Sequence, residues 1–197
     1  PPLNVAVQDF IGKASNKDLG KIQIADFDMG DVSERANLGA RVSKFLKNRP
    51  IAEQREISRK IFDQIRIIGG CQFTPMMSLC EIREIINIHE IGVHSYFHSS
   101  MAFEALSFVE RDFEDCRSWF LENLDVYPKI YAFPNGSYKD EHISMALEFG
   151  FEHILLVDDC FSSAEKNVHA RFGIEALRLS ELKFRALGSF RPIRITS

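Results

Sequence analysis

The pattern of hydrophobic and polar residues differs between the two parts of the chain. In the first part it predicts mainly helices. From residue 36 to residue 46 apolar residues recur every three or four positions, which predicts a helix that Ser33 can cap. The same spacing predicts a second helix from Ala52 to Ile68. Before them, the β-forming residues from Leu3 to Phe10 predict a strand, and Lys21 to Phe27 predicts a weaker one.

The later part of the chain alternates short apolar strands with amphipathic helices. The predicted strands are 90–94, 130–133 and 153–157, with one more at 171–174, and the predicted helices are 78–87, 105–123 and 140–149. The inner stripe of the longest helix is predicted to include Leu106, Val109, Phe113, Trp119 and Phe120. Strands that alternate with helices of this length are typical of a parallel sheet or barrel. The sequence therefore predicts an α/β fold.

The composition is typical of a folded globular protein and argues against a nucleic-acid-binding or membrane-spanning protein. The chain has 197 residues, is 45% hydrophobic and carries a net charge of -4, so it is expected to fold as one domain from residue 1 to residue 197. It has no basic stretch for a nucleic-acid backbone and no apolar run of about 20 residues that could span a membrane. Four cysteines without Cys-x-x-Cys spacing favour a reducing compartment such as the cytoplasm: Cys71, Cys80, Cys116 and Cys160.

Two histidines follow the predicted strand 90–94. His94 ends this strand and His98 comes four residues later, in the order His-Ser-Tyr-Phe-His. Catalytic groups collect at the carboxyl ends of parallel strands, and two imidazoles at this spacing can reach one zinc-sized ion. Two partly exposed loop histidines would give the same pattern, so the residues alone leave both interpretations open.

A turn follows the next predicted strand. Pro134, Asn135 and Gly136 combine a fixed φ with two residues that tolerate a positive φ. Such a turn can present a backbone N–H to a ligand, although the same residues also form ordinary turns.

Together these segments resemble the NodB-type polysaccharide deacetylases, carbohydrate esterase family four. The resemblance rests on Ile82 to Ile85, Glu90 to His98, Ala132 to Tyr138 and Ala146 to Phe151. It implies a distorted (β/α) barrel, with a second strand and a helical insertion in residues 1–75 and the motifs in residues 76–190. The helices before residue 75 resemble an insertion found in members linked to bacterial cell-surface polysaccharide synthesis.

The resemblance also implies a chemistry. The family removes acetyl groups from N- or O-acetylated sugars with one divalent metal ion, usually zinc. By motif match, His94 and His98 would be the two imidazole ligands. Asn135, between Pro134 and Gly136, would offer a backbone N–H to the oxyanion.

The sequence departs from the family at the acid and the base. The family's Asp-Asp motif, which supplies the base and the third metal ligand, is expected upstream of Pro1, so this stretch alone is expected to be weakly active or inactive. Asp158 and Asp159 come too late and are interpreted as a loop pair. The late Leu-x-His motif is absent, which leaves His169 as a weak candidate for the general acid.

Two other functions remain open. A barrel that had lost its base and acid would be a carbohydrate-binding module. Asp26 and Asp28 have the Asp-x-Asp spacing with which many glycosyltransferases hold a metal and a nucleotide sugar, but no glycine-rich loop precedes them.

Overall fold

The computed structural model of the chain describes residues 3–69, 74–157, 162, 167–171 and 183. Contacts divide the chain into two compact units, Pro1–Ile82 and Arg83–Ser197. The single domain expected from residue 1 to residue 197, with its parts 1–75 and 76–190, stays a prediction. None of the helices in the described ranges is long and apolar enough to cross a membrane.

The described part of the first unit is helical. Its helices are α1 (Leu3–Lys13), α2 (Asn16–Leu19), α3 (Arg35–Lys47) and α4 (Ile51–Ile68). Both predicted helices are confirmed as α3 and α4. The cap differs, because α3 begins after Glu34 and has no side-chain capping bond, so Ser33 does not cap it.

The strand predicted from Leu3 to Phe10 is wrong, because this segment lies in α1. The buried residues of α1 are Ala6, Val7, Phe10 and Ile11. Residues three or four positions apart lie on the same face of a helix, so these four form one buried face. Val7, Phe10 and Ile11 belong to a core formed with α3 and α4. The β propensity of single residues was overridden by this helical stripe.

The strand predicted from Lys21 to Phe27 is also wrong. Ile24 and Phe27 form one isolated antiparallel bridge, and Asp26 between them has a left-handed φ of 59°. The segment is therefore a tight turn.

The second unit contains the alternating elements. Its helices are α6 (Leu106–Leu124) and α7 (Asp140–Phe149), and its strands are β1 (Ile130–Ala132), β2 (His153–Leu155) and β3 (Val168–His169). Helix α5 (Leu79–Ile85) spans the point of division. It begins as predicted after Ser78, whose hydroxyl accepts a bond from the Glu81 N–H while the Glu81 carboxylate accepts one from the Ser78 N–H.

The strands pair in parallel in the order β1, β2, β3. The predicted strand 90–94 contributes one residue, because only Val93 forms a parallel bridge, to Tyr131. The described residues thus show a three-stranded sheet extended by Val93, and they do not show the expected barrel. Pairing of β3 was not predicted, and the strand predicted at 171–174 lies outside the described residues except for Arg171.

Helix α6 packs on the sheet through part of its predicted stripe. The rings of Phe113 and Tyr131 are fully buried, with centroids 4.8 Å apart. Val109 and Phe120 are buried as predicted, whereas Leu106 is 42% exposed. Trp119 is only partly buried and lines an open cavity of about 380 Å³ beside Tyr96, so its interpretation as a core residue is corrected. The stripe also contains a charged residue, Asp112, which is 2% exposed.

Candidate active site

His94 leaves the carboxyl edge of the sheet beside the end of β1. The Val93 N–H donates to the Ile130 carbonyl at 2.7 Å, and the Ala132 N–H donates to the Val93 carbonyl at 2.9 Å. This pairing places the exposed His94 ring next to Ala132, with 2.7 Å between Nδ1 and the carbonyl oxygen. His94 thus directly follows Val93, the one residue of the predicted strand 90–94 that bridges to the sheet.

The bond to Ala132 also decides where the proton of a neutral His94 lies. A carbonyl oxygen can only accept, so Nδ1 must carry the hydrogen and Nε2 must hold the lone pair. A backbone carbonyl bonded to one ring nitrogen is the usual support of a metal-ligating histidine. The hydrogen bond to Ala132 therefore leaves the lone pair of Nε2 available to bind a metal ion.

His98 lies beside His94 at the other end of a short loop. The centroids of the two imidazole rings are 4.9 Å apart and the rings are inclined at 78°. Two imidazoles suit zinc or a similar transition metal, so this pair fits two positions of the ion that the family resemblance implies. Within the described residues, no group of three or more His, Cys, Asp or Glu side chains could hold a metal.

The histidine loop and the proline turn are joined by three hydrogen bonds. Besides the bond from His94 to Ala132, the Asn135 side-chain amide donates to the Ser100 hydroxyl at 3.1 Å. The Ala102 N–H donates to the Ser137 hydroxyl at 3.2 Å. The structure thus brings together two segments that lie more than thirty residues apart in sequence, which their order alone could not establish. We call residues 94–102 the histidine segment and residues 132–137 the turn segment.

Unusual backbone geometry is concentrated in these segments. Of five non-glycine residues with positive φ in the described ranges, three lie here: Ser95 at 64°, His98 at 58° and Asn135 at 58°. Each such residue costs of order 1–3 kcal/mol and persists only where its surroundings hold it, which is common at functional sites.

The turn segment contains a backbone donor, the Asn135 N–H, without a hydrogen-bond partner among the described residues. The amides of Gly136 and Ser137 donate to the carbonyls of Phe133 and Pro134, at 3.4 and 3.0 Å. Among the described residues, none accepts a hydrogen bond from the Asn135 N–H. Pro134 is buried and anchors the turn, while Asn135 is exposed. This amide is therefore available to a ligand.

Gly136 is required by both its conformation and its surroundings. It has a φ of 62°, and a Cβ built on it would lie 2.1 Å from Cγ2 of Val157. We predict that Gly136→Ala lowers the free energy of unfolding by about 1–2 kcal/mol for the left-handed φ, with a further loss from this steric overlap. Urea unfolding of Gly136→Ala in wild-type and Val157→Ala backgrounds measures that further loss, which should be smaller in the second. Equal costs in both backgrounds would contradict the predicted clash.

Asp112 of helix α6 forms hydrogen bonds to the histidine segment, a role that the sequence does not predict. Its Oδ1 accepts hydrogen bonds from the Ser95 hydroxyl at 2.9 Å and the Tyr96 N–H at 3.1 Å. Its Oδ2 accepts one from the Tyr131 hydroxyl at 3.2 Å. Burial raises the pKa of the Asp112 carboxyl, and these hydrogen bonds oppose that increase. The available signal was an acidic residue in phase with the apolar stripe of α6.

His142 is a buried histidine behind the turn segment. It is fully buried, and its Nδ1 accepts from the Lys139 N–H at 3.3 Å. Nε2 has no hydrogen-bond partner among the described residues and lies 3.9 Å from Oε1 of Glu141. Burial, aided by the Lys139 charge and opposed by Glu141, lowers the pKa of His142 below 6.5. An unfolded chain then binds a proton here at a pH where the folded chain does not, so stability is lost as the pH falls below about 6.5.

We therefore predict that wild-type protein loses more unfolding free energy than His142→Gln between pH 7.5 and pH 5.5. Glutamine can still accept the Lys139 bond but does not titrate. Urea unfolding at both pH values measures the difference, with His89→Gln as the exposed-histidine control. Equal losses in wild type and His142→Gln would show that His142 is not the group responsible.

The other candidates lie elsewhere. Both ring nitrogens of His169 have partners, His153 Nδ1 at 3.0 Å and the Ser162 hydroxyl at 3.0 Å. In the first unit, Asp28 accepts a hydrogen bond from the Gly30 N–H, as in an ordinary turn. Asp158 and Asp159 lie outside the described residues.

Three solved structures are similar to the chain at low identity, each with a TM-score below 0.5. Deacetylase PplD of Streptococcus pyogenes, in complex with acetate, is 15% identical with a TM-score of 0.49, over 65% of this chain and 55% of that one. IcaB of Ammonifex degensii is 16% identical with a TM-score of 0.46, over 61% and 57%. A de-N-acetylase of Aggregatibacter actinomycetemcomitans is 17% identical with a TM-score of 0.47, over 57% and 55%. The chain thus spans just over half the length of these structures.

The sequence comparison is more specific about the family. No curated protein matches the chain. The family model described as polysaccharide deacetylase matches residues 80–154, a segment that contains the histidine and turn segments but not His169. The resemblance of this chain to the NodB-type polysaccharide deacetylases is therefore confirmed, and residues 80–154 are the part that carries it.

Proposed function

We propose that this chain forms the metal-binding and oxyanion-binding part of a deacetylase that removes acetyl groups from N- or O-acetylated sugars of a polysaccharide or glycan precursor. One observation carries the proposal. The histidine and turn segments, both inside the stretch that matches the family, are joined by hydrogen bonds into one group of residues. Such a site takes an acetylated sugar as its partner, and no basic surface for nucleic acid is part of it.

His94 and His98 would hold one divalent ion, with zinc favoured by the two imidazoles. When bound, such an ion polarises the acetyl carbonyl and lowers the pKa of a bound water. The Ala132 carbonyl keeps the proton of His94 on Nδ1 and so leaves Nε2 as the donor atom. A further protein ligand is required to complete the site, and the family resemblance assigns it to the Asp-Asp motif of the family.

The turn segment would stabilise negative charge on the acetyl oxygen. The Asn135 N–H is the donor, and Pro134 and Gly136 give the turn the shape that presents it. One preorganised donor of this kind contributes about 3–4 kcal/mol to the stabilisation of a transition state. The bond from the Asn135 side chain to Ser100 holds the donor at a fixed distance from the histidine segment.

The proton donors and acceptors of the reaction remain to be assigned. His169 is the candidate for the general acid that the sequence offers, but the bonds to His153 and Ser162 occupy both of its ring nitrogens. To act, it would have to exchange one of these bonds for the leaving group. The family resemblance assigns the base to the Asp-Asp motif of the family.

A carbohydrate-binding module without catalysis is the second candidate. It is favoured by the finding that the described ranges contain no cluster of three ligating side chains. Binding without turnover requires the same turn and the same fold but no complete ligand set.

Acetate release separates these two functions. The protein that carries this chain is incubated with an N-acetylated chito-oligosaccharide and with an O-acetylated aryl ester, with added zinc or with a chelator. Zinc-dependent acetate release that the chelator abolishes supports the deacetylase. Saturable sugar binding without acetate release, in a sample that binds zinc, would favour the binding module. Acetate release that the chelator does not affect would contradict the proposed metal dependence.

A further inference from the structure

Asp112 is a buried carboxylate that the proposed reaction does not use directly. It lies on α6, is 2% exposed, and occupies a position in the apolar stripe where a hydrophobic residue would pack. A buried acid that is not paired with a cation is uncommon, because removing its charge from water is costly unless hydrogen bonds compensate. The hydrogen bonds that Asp112 accepts indicate its role.

Its hydrogen bonds lead into the loop between the two histidines. Oδ1 accepts from the Ser95 hydroxyl and from the Tyr96 N–H. The Ser95 oxygen in turn accepts from the Phe97 N–H at 3.3 Å and the Ser99 N–H at 3.1 Å. Asp112 and Ser95 thus accept hydrogen bonds from the amides of Tyr96, Phe97 and Ser99, and each of these residues lies within two positions of His94 or His98 in sequence.

The second oxygen ties this loop to the sheet. Oδ2 accepts from the Tyr131 hydroxyl at 3.2 Å, and Tyr131 lies on β1 next to Ala132, which fixes the His94 ring. One side chain therefore joins α6, β1 and the loop. The loop also has positive φ values at Ser95 and His98, which need such support to persist.

We propose that Asp112 is a positioning residue for His94 and His98: it fixes the loop that holds the two rings side by side and thereby sets the affinity of the chain for a divalent metal. This rests on the proposed function, in which these histidines bind the metal. Partners of this kind, one step removed from the ligands, typically change metal affinity 10- to 100-fold.

Three substitutions separate the positioning role from simple core packing. Asp112→Asn keeps one oxygen for Ser95 and Tyr96, while its amide can donate to the Tyr131 hydroxyl, which can also accept. Asp112→Leu keeps the branched skeleton of four side-chain heavy atoms, with bulkier methyl groups in place of the two oxygens. It accepts no hydrogen bond and places an apolar residue in an apolar stripe. Ser95→Ala removes the hydroxyl that accepts hydrogen bonds from the Phe97 and Ser99 amides, without changing the core.

The first measurement is amide hydrogen exchange in metal-free protein. Exchange at Tyr96, Phe97 and Ser99 should be slow in wild type and in Asp112→Asn, and fast in Asp112→Leu. In Ser95→Ala, exchange should be fast at Phe97 and Ser99. Unchanged protection in Asp112→Leu would overturn the anchoring role.

The second measurement is zinc affinity, from competition with a chromophoric chelator. Asp112→Leu and Ser95→Ala should bind zinc at least about tenfold more weakly than wild type, and Asp112→Asn within about threefold. If Asp112→Leu fails to fold, Ser95→Ala gives the same test. Zinc binding that depends on His94 but is equal in wild type, Asp112→Leu and Ser95→Ala would overturn the positioning role alone. Zinc binding equal in wild type and His94→Ala would overturn the proposed metal site as well.

Discussion

In the protein that carries this chain, His94→Ala is expected to lower the rate of acetate release by more than about 100-fold, since loss of even an outer-shell partner of a metal can cost that much. Stability should change little, because the His94 ring is exposed and, among the described residues, its hydrogen bond is to the Ala132 carbonyl. Acetate release and urea unfolding are measured on the same preparation. His98→Ala should lose activity to a similar extent.

His89→Ala is the matched control, because His89 is exposed and lies a few residues before the histidine segment. It should keep its rate and its stability. If His94→Ala folds normally and keeps its rate, the metal site lies elsewhere. If it unfolds as readily as a core variant, His94 is a structural histidine.

Phe113→Ala is expected to lower the free energy of unfolding by about 3–5 kcal/mol, the usual range for removing a fully buried phenylalanine. Phe113 is 0% exposed and lies at the centre of an aromatic cluster in the second unit. Its ring centroid is 4.8 Å from that of Tyr131, 5.6 Å from Phe149 and 5.4 Å from Phe151. Urea or thermal unfolding followed by circular dichroism measures the loss.

Phe103→Ala is the control for this prediction, since Phe103 is in the same unit but 46% exposed. It should cost less than about 1 kcal/mol, as surface substitutions usually do. Equal losses in the two variants would mean that α6 does not pack on the sheet as described.

The helices that sequence predicted well are those whose apolar stripe is long. Helices α3, α4, α6 and α7 each repeat apolar residues over several turns, so the period of 3.6 residues is clear. Helix α1 reads as a strand from the β propensity of its residues, whereas the spacing of its buried residues is helical. Strand β3 has two residues, too few for any pattern.

The candidate site could be predicted in part for a different reason. His94 and the turn at Pro134 follow apolar strands, and parallel strands bring such positions to one edge. The bonds that join them, from Asn135 to Ser100 and from Ala102 to Ser137, involve polar residues with no distinctive spacing. Asp112 was missed because a charged residue in an apolar stripe is normally assigned to the surface.

Histidine NMR tests the central claim, that His94 and His98 form one metal site, most directly. Long-range ¹H–¹⁵N spectra report both nitrogens of each of the six histidines, and zinc is added up to one equivalent. We predict that His94 and His98 shift together and reach saturation, that His94 keeps its proton on Nδ1, and that the signals of His89, His142, His153 and His169 stay in place. Zinc-dependent shifts at His153 and His169, or at His89, with His94 and His98 unchanged, would contradict the account.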